Sequence, residues 1–272
     1  MFLGMAHEYL NTLLTAPAAD DNKYSRGVVG FITGSREYPG SALLGVSGAI
    51  RTGVGLVRYL GPNEPANLVL LGRPEAVIQP GPADAWVVGS GMPAESFTPT
   101  VLQNVYDFGL VVIDAAALTQ VDYTKLTGRA ILTPHTGELA RLLRQLGQPA
   151  PAIATLSTLQ AASLAAQLTG QLVVLKGHQT IIAEPYGEPL VLPPASSWLA
   201  TAGTGDVLAG IIGALLAIHS SDVLADRLRL SEVAELGVRI HSLAAEIAMQ
   251  AGPPAALDVA DSIRLAIRQL AA

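Results

Sequence analysis

One carboxylate stands where an acid is costly. The stretch LATAGTGDVLAG, residues 199–210, sets Asp206 between three small residues (Gly203, Thr204, Gly205) and an unbroken apolar run. A partly desolvated charge needs a partner or a task. A loop of small residues entering a helix bares main-chain N–H groups toward an anion, and the helix dipole adds to the attraction. Beside a phosphate held there, Asp206 can accept the proton of a hydroxyl that attacks the phosphorus. The alternative for the same residues is plain capping, with Asp206 as the helix N-cap and the glycines serving the turn. No P-loop lysine motif and no strict G-x-G-x-x-G accompanies the loop, because the pattern starting at Gly203 meets Leu208 at its last position.

Other polar residues follow short apolar runs. In VVLKGHQTII, Lys176 and Gly177 offer an ammonium and bare N–H groups to nucleotide phosphates, or simply end a strand before a hairpin. In ILTPHTGELARLL, Thr136 is expected to cap a helix whose first turn Glu138 complements. Pro134 keeps the chain extended, so His135 projects from the strand end; a satisfied core histidine is the alternative. His7, His178, His219 and His241 have no ligand spacing with it, and no cysteine exists, so no residue is assigned to a metal. Asp114 closes LVVID, where capping and a contact to magnesium-bound water are both open. Six glycines in GSREYPGSALLGVSGAIRTGVGLV mean either close packing or a helix N-terminus bared to a pyrophosphate or ribose.

The elements that must position these residues are legible as a pattern. β-Branched apolar runs at 28–33, 85–90, 110–114, 130–133, 171–176 and 180–183 mostly lack polar alternation, which marks strands covered on both faces. Helical spacing lies between them: a helix from Ser41, another through Leu139, Leu142 and Leu143, and one ending at Gly170. Near the end, Val233, Leu236, Ile240, Leu243 and Ile247 make one amphipathic stripe. The Gly- and Pro-rich YGEPLVLPPASS reads as a hairpin leading toward the Asp206 loop. Such alternation predicts an α/β fold with a mostly parallel sheet, in which ligands bind at the carboxyl ends of the strands.

Composition narrows the classes. The 272 residues are 50% hydrophobic and 14% charged, with a net charge of −6. That balance argues against a nucleic-acid surface, which needs clustered Lys and Arg. The longest apolar run, Val207–Ile218, falls short of a membrane span, and the N-terminus lacks the basic and apolar regions of a signal peptide. A cytoplasmic protein that binds neither membrane nor nucleic acid is expected, as one domain over 1–272 preceded by an N-terminal segment at 1–22.

Together the motifs resemble the ADP-dependent NAD(P)H-hydrate dehydratases of the ribokinase-like superfamily. KYSRG at 23–27, GSREYPGSALL, RTGVGLV, RPEAVI, WVVGSGM, VVIDAAAL, LTPHTGELARL, VLKGHQTII and WLATAGTGDVLAGIIGALLA match in order and spacing. The resemblance implies a three-layer α/β/α fold with a central mostly parallel sheet. It also implies dehydration of the S-form of NADHX or NADPHX back to NADH or NADPH, using ADP or ATP with Mg2+. Asp206 would act on the hydrate hydroxyl. Ser41, Gly91, His135 and Asp206 would line the hydrate site, while Lys176, Gly177, His178, Gln179, Thr180 and Gly205 would hold the nucleotide. A homotetramer and an NAD(P)HX epimerase as functional partner are further implications. Three positions depart from the family pattern: Ala116 replaces an aspartate in DAAAL, Ser90 a proline in GSG, and Ser41 an alanine. A ribokinase-like kinase for a small vitamin alcohol, and a non-catalytic nucleotide-binding subunit, are the competing readings of the same Gly-Asp loop.

Overall fold

The structure, a computed structural model, describes residues 13, 14 and 16–272. Of the segment set apart at 1–22, residues 1–12 and 15 lie outside the described residues, as does His7. So do the first residues read against a signal peptide.

Eight strands form one sheet: β1 Val28–Ile32, β2 Leu56–Tyr59, β3 Ala85–Val88, β4 Leu110–Ile113, β5 Arg129–Leu132, β6 Leu172–Leu175, β7 Ile181–Ala183 and β8 Leu190–Val191. Their order is β2-β1-β3-β4-β5-β6-β7-β8. The first six pair in parallel, and β7 and β8 run antiparallel as the hairpin the Gly- and Pro-rich stretch predicts. Every residue of β1, β3, β4 and β6 is buried, which is why their sequences show no polar alternation.

Alternate strand residues serve two layers. Val29, Phe31, Val87 and Val112 face α1 (Pro39–Thr52), α7 (Thr204–Ile218), α9 (Leu230–Ala248) and α10 (Ala256–Leu270). Ile32, Val88, Val111 and Ile113 face α3 (Pro99–Asp107), α4 (Thr136–Gln145) and α6 (Thr158–Thr169). Three shorter helices, α2 Asn63–Gly72, α5 Ala150–Thr155 and α8 Ser220–Leu224, complete the set. The result is a three-layer α/β/α sandwich, as expected. Among the described residues no helix is long and apolar enough to cross a membrane.

Close packing sets where Asp206 sits. α7 lies against α1, and a Cβ on Gly210 would collide with the Gly45 carbonyl. A Cβ on Gly48 would press on the main chain of Val207. For these two α1 glycines the packing alternative holds: Gly45 lies against Phe31 of β1 as well as α7, and Gly48 against α7. β2 is the strand missing from the sequence reading; its Arg58 is buried because Nε and Nη1 donate to the carbonyls of Pro82 and Gln79, at 3.0 and 2.8 Å.

Candidate active site

Parallel strands bring their carboxyl ends to one rim, and the polar residues that follow them meet there. Asp114 after β4 is fully buried and accepts hydrogen bonds from Ser90 Oγ, Thr133 Oγ1 and Lys176 Nζ, each at 2.8 Å. These donors follow β3, β5 and β6. Burial opposes the Asp114 charge, but the Lys176 ammonium and three hydrogen bonds prevail and hold its carboxyl below the ordinary value. Lys176 is the mirror case: burial opposes its charge, and Asp114, Glu138 and Asp206 together keep it protonated. Of the two readings left open for Asp114, capping by its side chain is corrected. Asp114 precedes the short 3-10 turn Ala115–Thr119 without a capping bond from its side chain, whose oxygens accept instead from Ser90, Thr133 and Lys176.

Asp206 is the third residue of α7, not its cap. Gly203 is the N-cap, in the left-handed region at φ 91°, and no side chain caps the helix. The capping alternative for Asp206 therefore fails, and its half-buried carboxyl accepts no hydrogen bond among the described residues. Burial, then the negative charge of Asp114, pushes Asp206 up to about 7; Lys176 opposes this and Glu138 adds to it. A carboxylate poised near neutrality, unpaired at a rim, suits proton abstraction.

Beside α7 opens a cavity of about 590 Å³, within the roughly 300–1,000 Å³ typical of ligand sites. His135, Lys176, Gly177, His178, Thr180 and Gly205 line it, so six of the expected site residues share one space. Gln179 is exposed nearby and lies outside the lining. Gly205 lies against the Lys176 ammonium: a Cβ there would sit 3.3 Å from Nζ.

His135 does two things at once. It lines the cavity and is also the N-cap of α4, its Nδ1 accepting from the main-chain N–H groups of Gly137 and Glu138 at 3.0 and 3.3 Å. Glu138 returns the bond by accepting from the His135 N–H at 2.8 Å. The expectation that Thr136 caps this helix is corrected by one residue, because the extended backbone at His135 lets the imidazole stand in for a hydroxyl. His135 is exposed, so the core-histidine alternative fails as well.

Ser41 and Gly91 meet outside that cavity. Ser41 Oγ, at the start of α1, donates to the Tyr38 and Ser90 carbonyls at 2.8 and 3.3 Å. Gly91 adopts φ 64°, and a Cβ there would run into Ser41 Oγ, so only glycine fits both demands. Ser90 bridges this pair to Asp114, and hence to Lys176. Beside Ala116, where the resemblance expects an acid, lies a cavity of about 210 Å³ flanked by Glu138 and Arg141.

Sequence reasoning missed His241, a buried residue of α9 that lines the larger cavity. Its position in an apolar stripe hid it. Magnesium, which the resemblance implies, has no ready-made site. Among the described residues no three His, Cys, Asp or Glu side chains group to hold a metal. Asp114 is occupied by Lys176, and Glu138 by the His135 N–H.

This arrangement has known counterparts. The profile of the NAD(P)H-hydrate dehydratase family matches residues 29–263. The bifunctional NAD(P)H-hydrate repair enzyme Nnr of Mycobacterium tuberculosis is 41% identical over 212 residues, 74% of this chain and 43% of its own length. This chain thus spans less than half of that relative. The ADP-dependent (S)-NAD(P)H-hydrate dehydratase of Neisseria meningitidis is 33% identical over 94% of this chain and 88% of its own. Among solved structures, the ADP/ATP-dependent NAD(P)H-hydrate dehydratase of Bacillus subtilis, co-crystallised with ATP and Mg2+, superposes with a TM-score of 0.83 at 27% identity over 97% of both chains. A Gly-Asp loop at the head of α7, a paired lysine after β6 and a match that runs from β1 into α10 place this chain in the NAD(P)H-hydrate dehydratase family.

Proposed function

We propose that this protein catalyses the ADP-dependent dehydration of the S-form of NADHX and NADPHX to NADH and NADPH. One observation carries the reading: Asp206, unpaired and near neutrality in pKa, stands at a helix head directly after Gly205, which lines a cavity of nucleotide size together with Lys176. The match to dehydratases over most of the chain supports it.

Hydroxide is a poor leaving group, and a phosphorylated hydroxyl is a good one. Asp206 removes the proton of the hydrate hydroxyl as its oxygen bonds to the β-phosphorus of ADP and the bond from that phosphorus to the bridging oxygen breaks, releasing AMP. The C–O bond then breaks with loss of phosphate. A proton leaves the neighbouring ring carbon, its electrons form the C=C bond, and the dihydropyridine is restored. Lys176 and the main-chain N–H groups at Gly203–Gly205 stabilise charge on the phosphates. Lys176 to Thr180 and Gly205 hold the nucleotide, and Ser41, Gly91 and His135 the hydrate. Mg2+ would arrive with the nucleotide phosphates and neutralise part of their charge, since no three His, Cys, Asp or Glu side chains of the described residues group to hold it.

The same reading extends to a cytoplasmic homotetramer served by an NAD(P)HX epimerase. The bifunctional repair enzymes among its relatives support the last point. A small-alcohol kinase, the other reading of the loop, would stop at a stable phosphate ester. The test is purified protein with ADP, Mg2+ and NADHX. Return of the near-ultraviolet absorbance of reduced nicotinamide, with stoichiometric AMP, supports dehydration; an untouched hydrate at saturating ADP ends the proposal.

A further inference from the structure

The wall of the cavity beside α7 includes a buried polar atom that has no partner among the described residues. His241 lines the cavity and is 5% exposed, yet its Nε2 makes no hydrogen bond. Thr204, Thr201 and Lys176 in the same wall are satisfied from within. Thr204 Oγ1 donates to the carbonyls of Leu199 and Thr201, at 2.7 and 2.9 Å, and Thr201 Oγ1 to that of Trp198 at 2.8 Å. Lys176 has Asp114. Buried polar atoms are nearly always paired, so an orphan in a cavity wall points to a group that enters and completes it.

The chemistry of that group follows from the ring. Burial disfavours the imidazolium and the Lys176 charge disfavours it further, pushing His241 down to about 4 despite a hydrogen bond that the ring donates to the Thr204 main chain and that favours protonation. A main-chain partner with that effect is a carbonyl, which claims a ring N–H. The neutral ring then keeps a lone pair at Nε2, an acceptor. An acceptor rejects phosphate and carboxylate and selects an O–H or N–H donor. If phosphates lie at Lys176 and Gly205, the donors left on an adenine nucleotide are the ribose hydroxyls and the adenine amine. Leu199, Ala200, Leu208 and Val238 give the neighbouring wall the apolar character a sugar or base face prefers.

We propose that His241 Nε2 recognises the nucleoside half of the bound nucleotide, accepting a hydrogen bond from a ribose hydroxyl or from the adenine amine. This rests on the nucleotide-dependent reading above.

Calorimetric titration of the full chain without hydrate tests it. Wild type, His241→Leu and His241→Gln are each titrated with ADP, 2′-deoxy-ADP, 3′-deoxy-ADP and inosine diphosphate. ADP is expected to bind His241→Leu roughly tenfold more weakly, with part of the affinity kept in His241→Gln, which retains an acceptor. One analogue should lose a similar factor on wild type and little more on His241→Leu. A deoxy analogue identifies the hydroxyl, and inosine diphosphate the amine. Equal ADP affinity in all three proteins overturns the proposal and leaves the nucleotide reading standing. Undiminished analogue penalties in the variants overturn it too, and the His241→Gln series carries this test if the leucine variant does not fold. A wild type that binds no ADP overturns both.

Discussion

Lys176 Nζ lies 2.8 Å from Asp114 Oδ1, across a gap of 62 residues in sequence, and joins the ends of two strands separated by β5. The pair ties the Ser41–Gly91 side of the rim, through Ser90, to the head of α7, through Gly205. It also sets the field in which Asp206 titrates.

Breaking that pair from one side should be costly. Asp114→Asn leaves a buried ammonium with weaker company, and removing one partner of a buried pair typically costs about 3–5 kcal/mol. Equilibrium urea unfolding should show a loss of that order. A difference below about 1 kcal/mol would mean that Glu138, 3.9 Å from Lys176, takes over.

Activity should follow the Asp206 titration. As a base it must be deprotonated, so kcat/KM for the hydrate is expected to rise with pH through a midpoint near 7. Because Asp114 adds negative charge and Lys176 positive, Asp114→Asn should move the midpoint down and Lys176→Met should move it up. Stopped-flow rates across pH 5 to 9 read both directions, and a profile flat through neutrality counts against Asp206 as the base.

Much of this was legible before the fold, and the reason is local. The strand at Val28–Ile32, the amphipathic helix through Val233 and Ile240 and the left-handed Gly170 that ends α6 are each fixed by neighbours a few residues away. Lys176 and His135 stand out because strand ends are where α/β folds bind ligands, and Gly205 because a loop of small residues enters a helix there. What stayed hidden depends on distant partners. β2 was missed because buried Arg58 reads as a surface charge until the Pro82 and Gln79 carbonyls are placed beside it. The Asp114–Lys176 pair is invisible in one sequence for the same reason. His241 looks like any residue on a helix stripe until the cavity appears next to it. The α4 cap was misread because Thr136 is a common capping type and histidine a rare one.

The α1–α7 contact admits no side chain at Gly210. Gly210→Ala gains helix propensity, worth about 1 kcal/mol, but drives a methyl into the Gly45 carbonyl. The clash involves main chain on both sides, so the helices must separate, at about 1–3 kcal/mol or more. A net fall in melting temperature is expected. Since α7 carries Asp206 and α1 carries Ser41, the folded variant should also lose kcat out of proportion to KM for ADP.

Asp206→Asn separates chemistry from stability. Its activity should fall by several orders of magnitude, because asparagine accepts no proton, while ADP binding changes little. Stability should move the other way. Folding raises the Asp206 pKa from 3.8 to about 7, so the native state binds the extra proton between those values. The stability this confers is complete below pH 3.8 and is lost as pH rises through 7. Above pH 7 the wild type therefore holds a desolvated charge that the variant lacks. The melting temperature of Asp206→Asn minus that of wild type should be smallest near pH 4, grow with positive sign through pH 5 and 6, and level off above 7. A difference that is flat with pH, or that shrinks, would place Asp206 in an ordinary solvated setting and remove the physical basis for its role as base.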